Sequence, residues 1–264
     1  EHAPLYLGLA KHYFDKKDGY NANSNALKAA ELAKNFSLQK IEADALTIAG
    51  KLNSRRSTDD AKKYLERSLE IYRSETDSTN IEDVLNVLAE IYKQTNPSHS
   101  LTLSTEQLEI AKKLENKQSE ASAYTLIGYN NFTQSNYNEA LMAWENALDI
   151  YKTLDEKDQI GTMYINLGVI YKNWGDYEKA LEYYQENLNL QEEIGDTAEI
   201  AKAVANIGNI YFYVGVDLDK ALEYYRHSLK LFQSVGNMFH IGNMYNNIGL
   251  VYRELKDNGE AIVN

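Results

Sequence analysis

Residues 164–171 read Tyr-Ile-Asn-Leu-Gly-Val-Ile-Tyr, and variants of this phrase return along the whole chain. A Leu-Gly or Ile-Gly pair followed by a tyrosine three residues later recurs at Gly208 and Gly249. Small residues continue the series toward the N-terminus, so the anchors stand at positions 10, 49, 89, 128, 168, 208 and 249. A spacing of 39 to 41 residues held over the full length predicts one helical unit stacked many times.

Each unit has the pattern of two amphipathic helices. From Tyr164 to Tyr171, apolar or small residues recur at i, i+3, i+4 and i+7, which predicts a first helix, helix A. Residues that tolerate turn conformations follow at 173–176. A second amphipathic stretch from Ala180 to Leu190 then predicts helix B. No strand pattern intervenes, so we expect an all-α fold.

The recurring glycine predicts close packing of helix A on helix B. Glycine inside a helix costs about 1 kcal/mol relative to alanine, so its return at positions 128, 168, 208 and 249 needs an offsetting gain. Bulky aromatic residues share one equivalent position of helix B, at Trp144, Tyr184 and Tyr225. We interpret these rings as core that fills the gap beside the glycine, rather than as a ligand pocket.

The phrase resembles the tetratricopeptide repeat, in which an aromatic, Leu-Gly and Tyr on helix A precede Ala and an aromatic on helix B. It is carried here by Tyr164, Leu167, Gly168, Tyr171, Ala180 and Tyr184. The resemblance implies a right-handed superhelical solenoid of antiparallel helix hairpins. Units of about 40 residues exceed the usual 34. They are similar to the long-helix repeats of kinesin light chains, Pins-like adaptors and bacterial signalling proteins.

We expect a single solenoid over residues 1–264. The predicted repeats cover residues 3–41, 42–81, 82–120, 121–160, 161–200, 201–241 and 242–264, the last one truncated. The chain opens on Glu1 and closes partway through a predicted helix B that contains Ala261, so we expect both ends to be trimmed.

Composition argues against two classes of partner. With 39 acidic and 27 basic residues the formal charge is -12, and nucleic-acid binding depends on Lys and Arg, so we expect no nucleic-acid partner. No apolar run reaches the length of a membrane span, so we expect no membrane contact within this segment. The chain has no cysteine, which fits a cytoplasmic or a periplasmic protein equally.

The sequence contains no pattern typical of catalysis or of a bound cofactor. The five histidines form no metal-ligand motif, and the 14 glycines form no phosphate-binding loop. Carboxylates are abundant, but none is paired with a base and an oxyanion site. We therefore expect a binding protein without enzymatic activity, cofactor or metal.

The resemblance implies that helix A lines the concave wall of the solenoid. An asparagine precedes the Leu-Gly or Ile-Gly pair at Asn166, Asn206 and Asn247. An amide side chain offers one acceptor and two donors, which suits an extended peptide backbone. We expect a peptide or protein to bind there; the alternative is that these asparagines belong to the consensus of long-helix repeats and serve the scaffold alone. The other candidate binding residues are Asn209, Asn243, Asn246, Lys172, Lys202, Arg253, Tyr129 and Phe132.

The predicted function is that of a protein or peptide interaction module, the sensor or scaffold region of a larger signalling or regulatory protein. Two alternatives are a peptide-sensing input domain like those of quorum-sensing regulators, and a static adaptor for multiprotein assembly. Because the last unit leaves an apolar repeat face open, homo-oligomerisation through the C-terminal repeat is a further expectation.

Overall fold

The computed structural model describes residues 2–215 and 217–263, and for residues 256–263 it describes the backbone alone. This part of the chain consists of thirteen α-helices and contains no strand. The helices are α1 (Ala3–Asp15), α2 (Gly19–Asn35), α3 (Gln39–Asn53), α4 (Thr58–Ser74), α5 (Ser78–Tyr92), α6 (Pro97–Lys113), α7 (Lys117–Thr133), α8 (Tyr137–Leu154), α9 (Lys157–Trp174), α10 (Tyr177–Ile194), α11 (Thr197–Val214), α12 (Leu218–Ser234) and α13 (Met238–Val263). The predicted all-α fold of repeated helix hairpins is confirmed.

The helices are grouped in two compact units, Glu1–Ile150 and Tyr151–Asn264. Within each unit, short turns join consecutive helices, which therefore run antiparallel as neighbours. Within the first unit α1 packs on α2, α3 on α4, α5 on α6, and within the second α9 packs on α10 and α11 on α12. In each of these hairpins the first helix corresponds to helix A and the second to helix B.

The first helix begins at the predicted start of repeat 1, Ala3, and the first helix of every later repeat begins about one helical turn before its predicted start. For example, α9 begins at Lys157 and α11 at Thr197, where the sequence placed repeat starts at 161 and 201. The repeat bounds and the single domain over residues 1–264 stay predictions. The predicted last helix B that contains Ala261 is not a separate helix, because the backbone of α13 runs unbroken to Val263. None of the helices in the described part of the chain is long and apolar enough to cross a membrane.

The hairpins are packed through a small residue on helix A and a large one on helix B. A Cβ on Gly168 would stand 2.5 Å from Tyr184 Cε1, and one on Gly208 would stand 3.0 Å from the Tyr225 ring. Gly128 faces Trp144 in the same way. Real Cβ atoms essentially never approach to less than 3.0 Å, so glycine is what lets these helices come together. The interpretation of the three aromatic rings as core is confirmed, because all three are buried.

The second hairpin corrects one anchor of the sequence series. The small residue that faces helix B there is Gly50, not Ala49, since a Cβ on Gly50 would stand 2.5 Å from Leu65 Cγ. Ala49 is fully buried in a cluster with Ala10 and Ala26 of the first hairpin. Small residues occupy both positions, so the spacing alone selected the neighbour of the residue that packs on α4.

The helices end in residues with left-handed backbone conformation. In the second unit Gly175, Gly195, Gly215 and Gly236 have φ between 68° and 83°. In the first unit five residues with side chains take this role at φ between 54° and 64°: Lys17, Ser37, Thr76, Glu115 and Ser135. A capping side chain commonly follows, as at Asp77, which accepts a hydrogen bond from Asn80 N at the start of α5.

Candidate functional site

A polar groove lies between α11 and α13 in the second unit, and we call it the asparagine groove. Its volume is about 380 Å³. Six of its lining residues are candidate binding residues from the sequence, namely Lys202, Asn206, Asn209, Asn243, Asn246 and Asn247. The structure therefore brings together, in one concavity, polar side chains from two consecutive A helices.

Helical spacing explains why these side chains share a face. On α11, Lys202, Asn206 and Asn209 stand at i, i+4 and i+7. On α13, Asn243 and Asn247 stand at i and i+4. Apolar residues of both helices, among them Ala201 on α11 and Val251 on α13, pack with α12 in one core cluster, and the polar stripes line the groove.

The floor of the groove is apolar. Ala205 and Met244 lie there with exposed fractions of 7% and 4%, together with the buried ring of Phe232 from α12. The His240 ring stacks on Phe232 with 4.6 Å between ring centroids and 14° between ring planes. His240 also lines the groove and was not among the candidates from the sequence, although its position three residues before Asn243 places it on the same face.

The hydrogen bonds of the groove leave most of its amides free for a ligand. Tyr225 Oη donates to Asn209 Oδ1 at 2.8 Å. Burial raises the pKa of the Tyr225 phenol, which therefore stays a neutral donor at ordinary pH. Within the part of the chain that the structure describes, the side chains of Asn206, Asn243 and Asn247 make no hydrogen bond.

The charges in the groove are largely balanced. Lys202 Nζ forms an ion pair with Glu199 one helical turn earlier on α11. Asn206 and Asn247 are half-buried, and Asn243 and Asn246 are exposed. The groove therefore presents amide donors and acceptors at its rim, where they can be reached from solvent, above an apolar floor.

Three other candidates of the second unit lie outside the lining of this groove. Asn166 is half-buried on α9. Lys172 Nζ lies 5.3 Å from the centroid of the Tyr213 ring, a cation–π contact. Arg253 Nη2 lies 3.7 Å from Glu254 Oε1. The structure thus joins two members of the predicted asparagine ladder, Asn206 and Asn247, in one groove, and it places Asn166 elsewhere.

The two aromatic candidates belong to the first unit, where both are engaged in packing. Lys93 Nζ lies 5.4 Å from the Tyr129 ring centroid. The Phe132 ring lies 5.5 Å from Tyr137 and 5.6 Å from Trp144, measured between centroids. Phe132 therefore contributes to the contact between α7 and α8.

The described residues contain no group of three His, Cys, Asp or Glu side chains that could hold a metal ion. What the asparagine groove offers chemically is hydrogen bonding to neutral polar groups combined with burial of apolar surface. An extended peptide main chain with a small or medium apolar side chain can form such hydrogen bonds and can bury such apolar surface.

The sequence matches known repeat families in two stretches. Residues 119–193 and residues 242–263 each match a family model described as tetratricopeptide repeat. No curated protein matches the chain.

Solved structures share the fold at low sequence identity. RapI in its apo form is 16% identical and has a TM-score of 0.70, over 97% of this chain and 100% of that chain. A Rap protein complexed with Competence and Sporulation Factor is 18% identical with a TM-score of 0.60, over 97% and 76%. A Signal Transduction ATPase with Numerous Domains protein with a tetratricopeptide repeat sensor, from Pyrococcus horikoshii, is 18% identical with a TM-score of 0.75.

The alignment with the Pyrococcus horikoshii protein covers 98% of this chain but 43% of that chain, so this chain spans less than half of that protein. At such identities the structural likeness shows the fold. The glycine and aromatic pairs of the hairpins and the two family matches add the sequence signature of the repeat. Two stretches of the chain therefore match tetratricopeptide-repeat models, and its helix hairpins have the fold of such repeats.

Proposed function

We propose that this chain is a protein- or peptide-binding module that holds an extended segment of its partner in the asparagine groove. The observation that carries the proposal is the convergence of Asn206, Asn209, Asn243 and Asn247 around one apolar floor. Amide side chains pair with main-chain N–H and C=O groups of any sequence. The floor then selects the side chain that points inward, and catalysis has no part in this function.

We further propose that the module is the sensor or scaffold region of a larger signalling or regulatory protein. Two similar folds support this: one is a tetratricopeptide repeat sensor, and the other is a Rap protein complexed with Competence and Sporulation Factor. A peptide-sensing input domain of a quorum-sensing-type regulator and a static adaptor are the alternatives. A sensor changes the distance between its hairpins when ligand binds, whereas a static adaptor does not.

The experiment is a comparison of peptide affinities between two sets of variants. Peptides are first selected from a random library on the unmodified chain, and their dissociation constants are then measured by fluorescence anisotropy. The groove variant carries Asn206→Ala, Asn243→Ala and Asn247→Ala. Each lost hydrogen bond is worth about 0.5 to 1.5 kcal/mol, so we expect the affinity to fall by about tenfold or more.

The matched control changes two exposed asparagines on B helices, Asn146→Ala and Asn189→Ala. We expect the control to bind the selected peptides as the unmodified chain does. A groove variant that retains full affinity would rule out the asparagine groove as the binding site. The single variant Asn166→Ala tests separately whether the ladder extends to α9.

A second candidate function is self-association through α13. Gly242 and Gly249 have nothing within 4 Å of the place where a Cβ would stand. On α9 the glycines at the same two positions, Gly161 and Gly168, meet side chains of α10 at 2.8 Å and 2.5 Å. The face of α13 that corresponds to a helix A contact is therefore uncovered in the described part of the chain.

The order of residues on this face is self-complementary. Tyr245 and Tyr252 are 57% and 48% exposed and alternate with Gly242 and Gly249. If two copies of α13 pair antiparallel with Asn247 opposite its counterpart, Tyr245 lies over Gly249 and Tyr252 over Gly242. Each ring then meets a glycine, as the rings of the hairpins do.

Sedimentation velocity tests this pairing. We expect a concentration-dependent dimer for the unmodified chain and a monomer for Gly249→Glu, which introduces a charge into the contact. Gly8→Glu is the control, since Gly8 also has nothing within 4 Å. A monomer at every concentration, or a dimer that persists in Gly249→Glu, would contradict self-association through α13.

A further inference from the structure

A second concavity of the same unit lies where helix A turns into helix B, and we call it the turn pocket. Its volume is about 580 Å³, and it shares no lining residue with the asparagine groove. Its apolar surface comes from Leu181 on α10 and from Ile210, Tyr211 and Val214 near the end of α11. Val214 is 38% exposed, so an apolar ligand group can reach this surface from solvent.

The walls of the turn pocket are held in place by packing. Tyr211 stacks on Tyr224 with 5.4 Å between ring centroids and 9° between planes. Ile210 is fully buried and fixes the base of the pocket. The cavity is therefore bounded by side chains whose positions are set by the hairpins, which favours a formed pocket over a transient gap.

Acidic groups dominate the rim. Asp176, Glu178 and Asp217 line the pocket together with a single cation, Lys220. Lys220 Nζ lies 3.4 Å from Asp217 Oδ2 and 5.2 Å from the Tyr211 ring centroid, so its charge is already paired within the chain. The lining thus has an excess of two negative charges beside an apolar surface.

Both aspartates serve as helix caps, and the second oxygen of Asp217 is already paired with Lys220. Asp176 Oδ1 accepts a hydrogen bond from Lys179 N at 3.2 Å, and Asp217 Oδ1 accepts one from Lys220 N at 3.0 Å. Capping uses one oxygen of each carboxylate. In the described part of the chain, the second oxygen of Asp176 and both oxygens of Glu178 make no hydrogen bond or ion pair, and both residues line the pocket.

We propose that the turn pocket binds a segment of a partner protein that inserts one bulky apolar side chain flanked by Lys or Arg. The apolar wall takes the side chain, and the carboxylates of Asp176, Glu178 and Asp217 attract the flanking cations. A segment with flanking Asp or Glu is repelled by the same rim. This site is separate from the asparagine groove, so either site can be correct without the other.

The test uses three blocked tripeptides and amide chemical shifts measured by NMR. The probes are acetyl-Lys-Phe-Lys-amide, acetyl-Glu-Phe-Glu-amide and acetyl-Lys-Ala-Lys-amide. At low ionic strength we expect saturable shifts of the Gly175, Leu181 and Val214 amides with the first probe. We expect binding of the other two to be weaker by about tenfold or more, because one meets like charge and the other lacks the apolar side chain.

A variant that removes the charge and keeps the shape makes the test specific. Asp176→Asn, Glu178→Gln and Asp217→Asn are combined, since Asn caps helices about as well as Asp and the fold is thereby retained. We expect the preference for Lys-Phe-Lys over Glu-Phe-Glu to shrink to about twofold or less. Library peptides that lose affinity for the asparagine-groove variant should bind this variant with unchanged affinity.

Three outcomes would overturn the proposal. They are equal binding of Glu-Phe-Glu and Lys-Phe-Lys to the unmodified chain, shifts that map away from Leu181 and Val214, and a full cationic preference in the charge-removed variant. The asparagine-groove variant is expected to lose affinity for the library peptides and to keep its affinity for acetyl-Lys-Phe-Lys-amide. That result would confirm that the two sites are independent.

Discussion

Gly168 on α9 and Tyr184 on α10 are packed so closely that a Cβ on the glycine would stand 2.5 Å from Tyr184 Cε1. Tyr184 is 3% exposed and its ring fills the space that the missing side chain leaves. The pair therefore sets the distance between the two helices of this hairpin. Gly249 occupies the same position on α13, where a Cβ would meet no atom of the described residues of other helices within 4 Å, which provides an internal comparison.

Gly168→Ala is expected to lower the free energy of unfolding by about 1 to 3 kcal/mol, because the added methyl group displaces the Tyr184 ring. The intrinsic helix preference of alanine acts in the opposite direction by about 1 kcal/mol. Gly249→Ala adds the same methyl group without a clash, so it is expected to leave stability unchanged or to raise it slightly. Chemical denaturation followed by circular dichroism measures both. Equal effects of the two substitutions would show that the α9–α10 contact is not as described.

Thr76→Gly is expected to stabilise the first unit by about 1 kcal/mol. Thr76 is exposed and has φ of 54°, a conformation that is unfavourable for a β-branched residue and readily adopted by glycine. Gly195→Ala serves as the reverse control, since Gly195 has φ of 83° at the end of α10. Urea unfolding midpoints should rise for the first variant and fall for the second. A fall in both would show that the strain at Thr76 is already compensated by its side chain.

Alkaline pH is expected to weaken the fold through Tyr184. Burial raises the pKa of Tyr184 to about 12, whereas a tyrosine in an unfolded chain titrates near 10. A folded-state pKa above the unfolded value gives stability that is complete below about pH 10 and is lost as the pH rises through about 12. The loss attributable to this residue is on the order of 2 to 3 kcal/mol.

Tyr184→Phe is expected to make the free energy of unfolding less dependent on pH between about 10 and 12. Tyr20→Phe is the control, because Tyr20 is 79% exposed. Urea unfolding at a series of pH values separates the two. If Tyr184→Phe retains the full pH dependence of the unmodified chain, the phenol of Tyr184 does not carry the effect.

Tyr225→Phe is expected to weaken peptide binding in the asparagine groove by about threefold to tenfold. The Tyr225 hydroxyl donates to Asn209 Oδ1 and so orients the amide toward the groove, and one lost hydrogen bond is worth about 0.5 to 1.5 kcal/mol. Tyr184→Phe, in the neighbouring hairpin, should leave the affinity unchanged. A Tyr225→Phe variant with unchanged affinity would mean that the orientation of Asn209 does not matter for the ligand.

The hairpin packing could be predicted from the sequence where both partners are distinctive. Gly128, Gly168 and Gly208 stand out inside helical patterns, and each faces an aromatic residue on helix B. The second hairpin was misassigned because Ala49 is also small and because Leu65 is an ordinary apolar residue. A contact between two common residue types cannot be recognised from the repeat pattern of the sequence.

The position of some candidate residues follows from the sequence, and their role in binding stays a prediction. Spacing on one helix places Asn206 and Asn209 on a common face, and both line the asparagine groove. It cannot show what a neighbouring helix supplies, which is why the contacts of Lys172 with Tyr213 and of Phe132 with Trp144 came only from the structure. The turn pocket could not be predicted from the sequence for the same reason, because its lining residues come from separate helices and turns of two hairpins.

The close contacts between a glycine on helix A and a large side chain on helix B affect which gene duplications and deletions the protein can tolerate. Gly50 and Leu65, like Gly168 and Tyr184, belong to the same hairpin, so both halves of each contact are encoded within about forty residues. Duplication or deletion of one such stretch keeps every glycine with the ring or side chain that it accommodates. The array can therefore gain or lose length by recombination without a compensating mutation inside any hairpin.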